Sequence, residues 1–221
     1  MTLNFGYDDP RVSKEILATT LDTPPDVLAK LAKEEDEDVR RSVAYHKNTP
    51  PKTLAKLAKD RDRDVRINVA KHPHTPTNVL VELANDEDDE IRRAVAGNWC
   101  APWEALAQLA NDWNPEICRA VGVNWSTPPD ILARLANRGN SYIRGAVARN
   151  PHTPWEVLAY LSQDKDSHVR YGVAGNWSTP ANILIGLTKD ANCYVRENVA
   201  TNWAAPWEAL EQLAKDKRGI K

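Results

Sequence analysis

The chain has 221 residues, with 29 basic against 31 acidic, and a formal net charge of −2; as a whole it has no electrostatic pull toward nucleic acid or an anionic membrane. No apolar run approaches the ~20 residues of a membrane span, and Met1–Pro10 carries neither a basic leader nor an apolar core, so no secretory signal is expected. Cys100, Cys118 and Cys193 fall at three different positions of the repeat described next, which excludes a disulfide framework and points to a reducing, cytoplasmic compartment.

In chain order, Ser13–Asp22 aligns with the second half of a repeat, Leu17-Ala18 matching the usual Val-Ala. Residues 1–22 are therefore expected to form a half-repeat cap, with Leu3, Phe5 and Tyr7 folded over its open end. From Thr23 a period of 26 residues runs without insertion or deletion, its first position recurring as Thr49, Thr75, Ala101, Thr127, Thr153, Thr179 and Ala205. This gives seven full repeats over 23–204, a final half-repeat from 205 to 214, and a basic tail over 215–221. A strict period in this range signals a solenoid, whose repeats need neighbours to bury their apolar faces. The expected architecture is all-α, one elongated array of two-helix repeats without an internal linker.

Each repeat opens on a helix of about ten residues, near the globular mean. Thr or Ala stands at its cap and Pro follows in every case, from Pro24 to Pro206; Thr is read as accepting a backbone N–H, and Pro suits the first helical position. Two Leu three residues apart, as in Leu28/Leu31 and Leu184/Leu187, mark the buried face. The second helix is read as the shorter, some eight residues, α or in part 3₁₀. Asp36, Asp62, Asp88, Asn114, Asn140, Asp166 and Asn192 precede it as caps, and Val39/Val43 and their equivalents are its core. Asn98, Asn124, Asn150, Asn176 and Asn202, with His46 and His72 in the same slot, are read as ending it in the left-handed conformation. Glu211 replaces the apolar residue of the earlier repeats, as suits a last helix that no repeat covers.

The string Thr-Pro-x-x-x-Leu-Ala-x-Leu-Ala, then Val-Arg-x-x-Val-Ala-x-Asn-Pro, is plainest in Thr49–Ala70 and Thr127–Pro151. It resembles the leucine-rich repeat variant family of bacterial proteins over residues 13 to about 214. The resemblance implies a right-handed α-solenoid, a superhelix of alternating α and short, often 3₁₀, helices. Founding members carry an iron–sulfur cluster on cysteines before the repeats; Met1–Asp22 has no Cys, so no cofactor is carried over. The family implies no common activity. Kinship to HEAT-like repeats, including DNA glycosylases, is weaker, since those enzymes need a basic cleft.

Several residue rows bear on function. Arg40, Arg66, Arg92, Arg144, Arg170 and Arg196 recur at one position, which is Cys118 in the fourth repeat. They form either a ladder buried along its stems and bonding carboxylates or carbonyls at the end of the first helix, with Glu34, Asp60, Asp86, Asp112, Asp164 and Asp190, six residues before this position, as candidate partners, or a row of cations for phosphates. Trp99, Trp125, Trp177 and Trp203 share a loop position, and Trp103, Trp155 and Trp207 share the third position of the next helix. They either cover junctions between repeats or form an aromatic ridge for peptide, sugar or bases. No nucleophile–base–orienter set, Gly-rich phosphate loop or CxxC pair is present, and His46, His72 and His74 read as cap and loop residues rather than metal ligands. No catalytic or metal residue is assigned.

On the second helix, two positions four apart avoid the core and vary freely: Arg41/Tyr45, Ile67/Lys71, Arg93/Gly97, Arg119/Val123, Gly145/Arg149, Tyr171/Gly175 and Glu197/Thr201. Stacked repeats would line them into a stripe of the kind solenoids bind with. The leading expectation is a non-enzymatic scaffold for a protein or extended peptide, anchored by Arg41, Tyr45, Arg93, Arg119, Arg149 and Tyr171. The alternative is nucleic-acid binding through the Arg row and the Trp ridge.

Overall fold

The computed structural model describes residues 13–215. The expectations for Leu3, Phe5, Tyr7 and most of the basic tail lie outside that range. Sixteen helices and no strand occur among the described residues. They fall into two compact units divided between Ala105 and Leu106, within α8 (Trp103–Leu109).

The first helix described in the first unit is α1 (Lys14–Thr19), which buries Leu17 and Ala18. Repeats then alternate a first helix, α2 (Pro25–Leu31), α4 (Pro51–Leu57) and α6 (Thr77–Leu83), with a second, α3 (Glu37–Tyr45), α5 (Arg63–Lys71) and α7 (Asp89–Gly97). In the second unit the first helices after α8 are α10 (Pro129–Leu135), α12 (Trp155–Leu161) and α14 (Ala181–Leu187). The second helices are α9 (Pro115–Val123), α11 (Ser141–Arg149), α13 (Ser167–Gly175) and α15 (Cys193–Ala200), and α16 (Trp207–Ala214) is last. Second helices pack side by side: α1, α3, α5 and α7 in one unit, α9, α11, α13 and α15 in the other. Within each unit a repeat thus buries its apolar face against the next, the condition for stacking.

The paired Leu are buried in every full repeat, as are the Val or Ile pairs of the second helices. In α16 Leu213 is buried, whereas Glu211 is exposed and bonds Lys215 Nζ at 2.6 Å. Within the second unit α9, α11 and α13 approach closely because small residues face each other. A Cβ on Gly172 would lie 2.9 Å from that of Ala148, and one on Gly122 would lie 3.1 Å from that of Ala146.

Three local expectations are corrected. The second helix is the longer: α3 has nine α-helical residues and α2 has seven. The first helix does not run on for ten because its last turn tightens, Lys33 N bonding Lys30 O and Glu34 N bonding Leu31 O, three residues back. Second, Thr does not cap the first helix, whose N-cap is Pro24 without a side-chain bond. Thr23, Thr49, Thr75, Thr127, Thr153 and Thr179 instead donate their hydroxyls at 2.5–2.7 Å to a carbonyl six residues back, near the end of the preceding helix. Third, Asn98, Asn150 and Asn176 are extended, not left-handed. The carboxylate and amide caps of the second helices are as read, Asp36 accepting from Asp38 N and Asn192 from Tyr194 N.

The Asn position has a different physical role: it stitches neighbouring repeats. Asn176 Nδ2 donates to Ala148 O and Asn150 O, both at 2.8 Å, while its Oδ1 accepts from Ser178 N. Asn150 and Asn202 do the same one repeat before and after. His72 copies this with a ring: Nε2 faces His46 O at 3.1 Å and Nδ1 accepts from His74 N, which requires the neutral Nε2–H tautomer. His46 faces Thr20 O in the same way.

Candidate functional site

The Arg row is a set of clamps between repeats. Arg40 bonds Asp60 through Nε and Nη2 and gives Nη1 to the carbonyls of Glu34 and Glu35. Arg66 repeats the pattern with Asp86, Arg144 with Asp164, and Arg170 with Asp190. The carboxylate therefore comes from the following repeat and not from the residue six positions earlier, whereas the carbonyls at the end of the first helix are bonded as expected. The guanidiniums of Arg40, Arg66, Arg144 and Arg170 are thus committed to carboxylates and carbonyls of this chain. Burial opposes ionisation of Asp164, and the bonds from Arg144 and from Asp166 N more than offset it, holding the carboxyl below its usual range.

One rung is transposed. Cys118 stands at the Arg position, and Arg138 stands where other repeats carry the acid. Arg138 Nη2 reaches back to Ala110 O at 3.0 Å, Asp112 O at 3.2 Å and Cys118 Sγ at 3.2 Å. The residue was visible in the 26-residue alignment as the one cation in a column of acids, and sequence reasoning passed over it.

The six stripe residues lie on the second helices, outside the core. In the first unit Tyr45 is 80% exposed, and Arg41 is bound by both oxygens of Asp62 and by Asp38. The Arg41 bonds hold Asp62 at a pKa of about 2. Arg93 pairs with Glu90 one turn earlier. In the second unit Arg119 pairs likewise with Glu116 at 2.9 Å.

Arg149 differs. Its Nη1 donates to Gly145 O, its Nη2 lies 3.2 Å from His168 Nε2, and its Cζ sits 5.8 Å from the centre of the Tyr171 ring. No carboxylate meets it among the described residues. The residue is exposed, yet its guanidinium is crowded by these neighbours, and loss of hydration lowers its pKa from the usual value. Tyr142 stacks edge-on to His168 with centroids 6.2 Å apart. A concavity of about 500 Å³ over α9, α11 and α13 is lined by Glu116, Arg119, Val123, Tyr142, Arg149 and His168 among others. Tyr142 and His168 were not among the expected anchors, because their positions are not the two variable ones on which the stripe was defined.

The Trp residues of both rows are exposed. Trp99, Trp103, Trp155, Trp177, Trp203 and Trp207 are at least 60% exposed, and Trp125 is 48% exposed. Trp125 and Trp177, two repeats apart, meet edge to face with centroids 6.0 Å apart. Trp177 and Trp203 line a second concavity with Gly175, Asn198 and Thr201. Trp113, which belongs to neither row, is 80% exposed. No group of three metal-ligating side chains occurs among the described residues, and none of their helices is long and apolar enough to cross a membrane.

The family model described as leucine rich repeat variant matches residues 63–88, one full period. No curated protein matches the chain. A solved structure titled "a leucine-rich repeat variant with a novel repetitive protein structural motif" is 27% identical, covers 93% of this chain and 83% of that one, and has a TM-score of 0.66. An engineered protein is 20% identical over 91% of this chain and 76% of its own, with a TM-score of 0.47. The Escherichia coli YibA protein is 15% identical over 92% and 96%, with a TM-score of 0.48. The fold is thus an all-α helical-repeat solenoid similar to that leucine-rich repeat variant structure, and one of its repeats, residues 63–88, matches the leucine rich repeat variant model.

Proposed function

We propose that this protein is a non-enzymatic scaffold that binds a protein or extended peptide along its second helices, with the α9–α11–α13 concavity as the anchoring site. The observation that carries the reading is Arg149. Its stripe counterparts Arg41, Arg93 and Arg119 are each answered by a carboxylate of this chain, and Arg149 is not. A partly dehydrated cation against an aromatic ring is a ready counter-ion for an acidic side chain of a partner, and the bond would be charge-assisted. Tyr142, Tyr171 and Val123 supply apolar surface beside it, and Tyr with Arg is the usual make-up of a binding hot spot. Three free thiols fit a reducing compartment such as the cytoplasm.

The nucleic-acid alternative is less favoured, since Arg40, Arg66, Arg144 and Arg170 of its row are bonded to carboxylates of this chain. The exposed Trp edge remains as surface for the same kind of partner. Selection of a random peptide library tests the proposal. Peptides enriched on the wild type are expected to share an Asp or Glu next to an apolar residue, and to lose at least tenfold in affinity on Arg149→Gln/Tyr171→Ala. Equal affinity for both proteins would overturn it.

A further inference from the structure

The transposed rung has a consequence away from the second helices. In an ordinary rung the clamp is neutral: Arg144 and Asp164 cancel. In the transposed one a thiol replaces the guanidinium and a guanidinium replaces the carboxylate, so a cation is left without an acid. Arg138 bonds two carbonyls and the Cys118 sulfur, all through Nη2, and meets no carboxylate among the described residues.

Arg138 lines a concavity of about 710 Å³ at the edge where the first helices α10 and α12 end. The other walls are Ala136, Asn137, Gly139 and Arg144 on one side, and Ala159, Tyr160, Gln163, Asp164 and Lys165 on the other. Three cations, Arg138, Arg144 and Lys165, stand against one carboxylate, Asp164, so the lining carries a net charge of +2. Arg144 is spent on Asp164, whereas Lys165 has no ion pair among the described residues. Tyr160, 60% exposed, offers an aromatic face and a hydroxyl, and Gln163 an amide. The volume lies within the ~300–1,000 Å³ of small-molecule sites.

We propose that this concavity binds the phosphate group of a small molecule, with Arg138 and Lys165 as its counter-ions. A phosphate monoester carries a charge of about −1.5 to −2 at pH 7, which matches the surplus, whereas a single carboxylate would leave half of it uncompensated. The planar fork of Arg138 presents donors beyond Nη2, suited to phosphate oxygens.

The molecule supplies its own control. Cys118→Arg with Arg138→Asp restores the ordinary rung, at the 20-residue separation of Arg144 and Asp164. It turns three cations against one carboxylate into two against two. Titration of pyrophosphate and phenyl phosphate, followed by ³¹P NMR at low salt, is expected to show saturable binding to the wild type that weakens with added salt. The double variant is expected to unfold at the same temperature or higher and to bind at least tenfold more weakly. Lys165→Ala, at an exposed position, is expected to weaken binding several-fold without touching the rung. No saturable binding by the wild type at millimolar phosphate compound, or equal binding by both variants, would overturn the proposal. Citrate binding as tightly as pyrophosphate would overturn the assignment to phosphate.

Discussion

Arg144 of one repeat holds Asp164 of the next through two parallel bonds, Nε to Oδ2 at 2.6 Å and Nη2 to Oδ1 at 3.0 Å. Both side chains are over nine-tenths buried, and Nη1 of Arg144 donates to the carbonyls of Arg138 and Gly139. Such a pair is costly to break from one side, because the surviving charge stays buried. Arg144→Ala or Asp164→Ala is therefore expected to destabilise the fold by about 3–5 kcal/mol. Replacing both by apolar residues, Arg144→Met with Asp164→Leu, should cost much less than either single change. Denaturant unfolding of the four proteins checks this; additive losses would show that the two residues do not act as a pair.

At strongly acid pH, stability should be lost through the carboxylates held by arginine. The bonds from Arg41 set Asp62 at about 2, below the ~3.9 of an unfolded chain. A carboxyl with a depressed folded pKa contributes stability that is present above the unfolded value and lost as pH falls through the folded one. The Asp62 contribution is thus expected to be complete above pH ~4 and to fade toward pH ~2. Asp62→Asn, which keeps a side-chain acceptor for the helix, should flatten that part of the pH–stability curve. An unchanged slope between pH 4 and 2 would contradict the assignment.

His72 predicts a second, milder pH dependence. Burial lowers its pKa from the ordinary 6.5, and His74 and His46 push the same way against the bond to His46 O. The unfolded chain therefore takes up a proton before the folded one, and stability falls as pH drops below ~6.5. His72→Asn substitutes the residue that fills this slot in later repeats. It should fold and remove this component, as thermal unfolding at pH 7.5 and 5.5 will read.

Burial of the repeat seam should be costly to disturb and local in its effect. Leu132 in α10 is fully buried, and Leu132→Ala is expected to lose ~2–5 kcal/mol. In a stacked array, protection against hydrogen exchange should fall in α9–α11 before it falls in α15. Uniform loss through the second unit would show that it unfolds as one cooperative block.

The period, the helix pairs, the caps of the second helices and the buried Leu and Val seams were all legible in the sequence, because they repeat and because they rest on neighbours along the chain. Partners in other repeats were not. A strict period makes two registers indistinguishable: Arg170 could meet the acid six residues earlier, Asp164, or the one 20 later, Asp190, and both columns recur with the same spacing. Thr153 and Asn150 looked like helix caps for the same reason. Both are common cap residues, while their true acceptors, Val147 O and the Gly122 and Asn124 carbonyls, lie in the preceding helix and the preceding repeat. Arg149 was found as an exposed cation, but that Tyr171 and His168, rather than a carboxylate, surround it follows only from how closely α11 and α13 pack.

The measurement that bears most directly on the proposed binding face is hydrogen exchange of the wild type with and without a library-selected peptide at saturation. Protection is expected to rise in the second helices α11 (Ser141–Arg149) and α13 (Ser167–Gly175), with the exposed Tyr142, Arg149 and Tyr171 at its centre. Protection confined to the first helices α10 and α12, with α11 and α13 unchanged, would contradict the account.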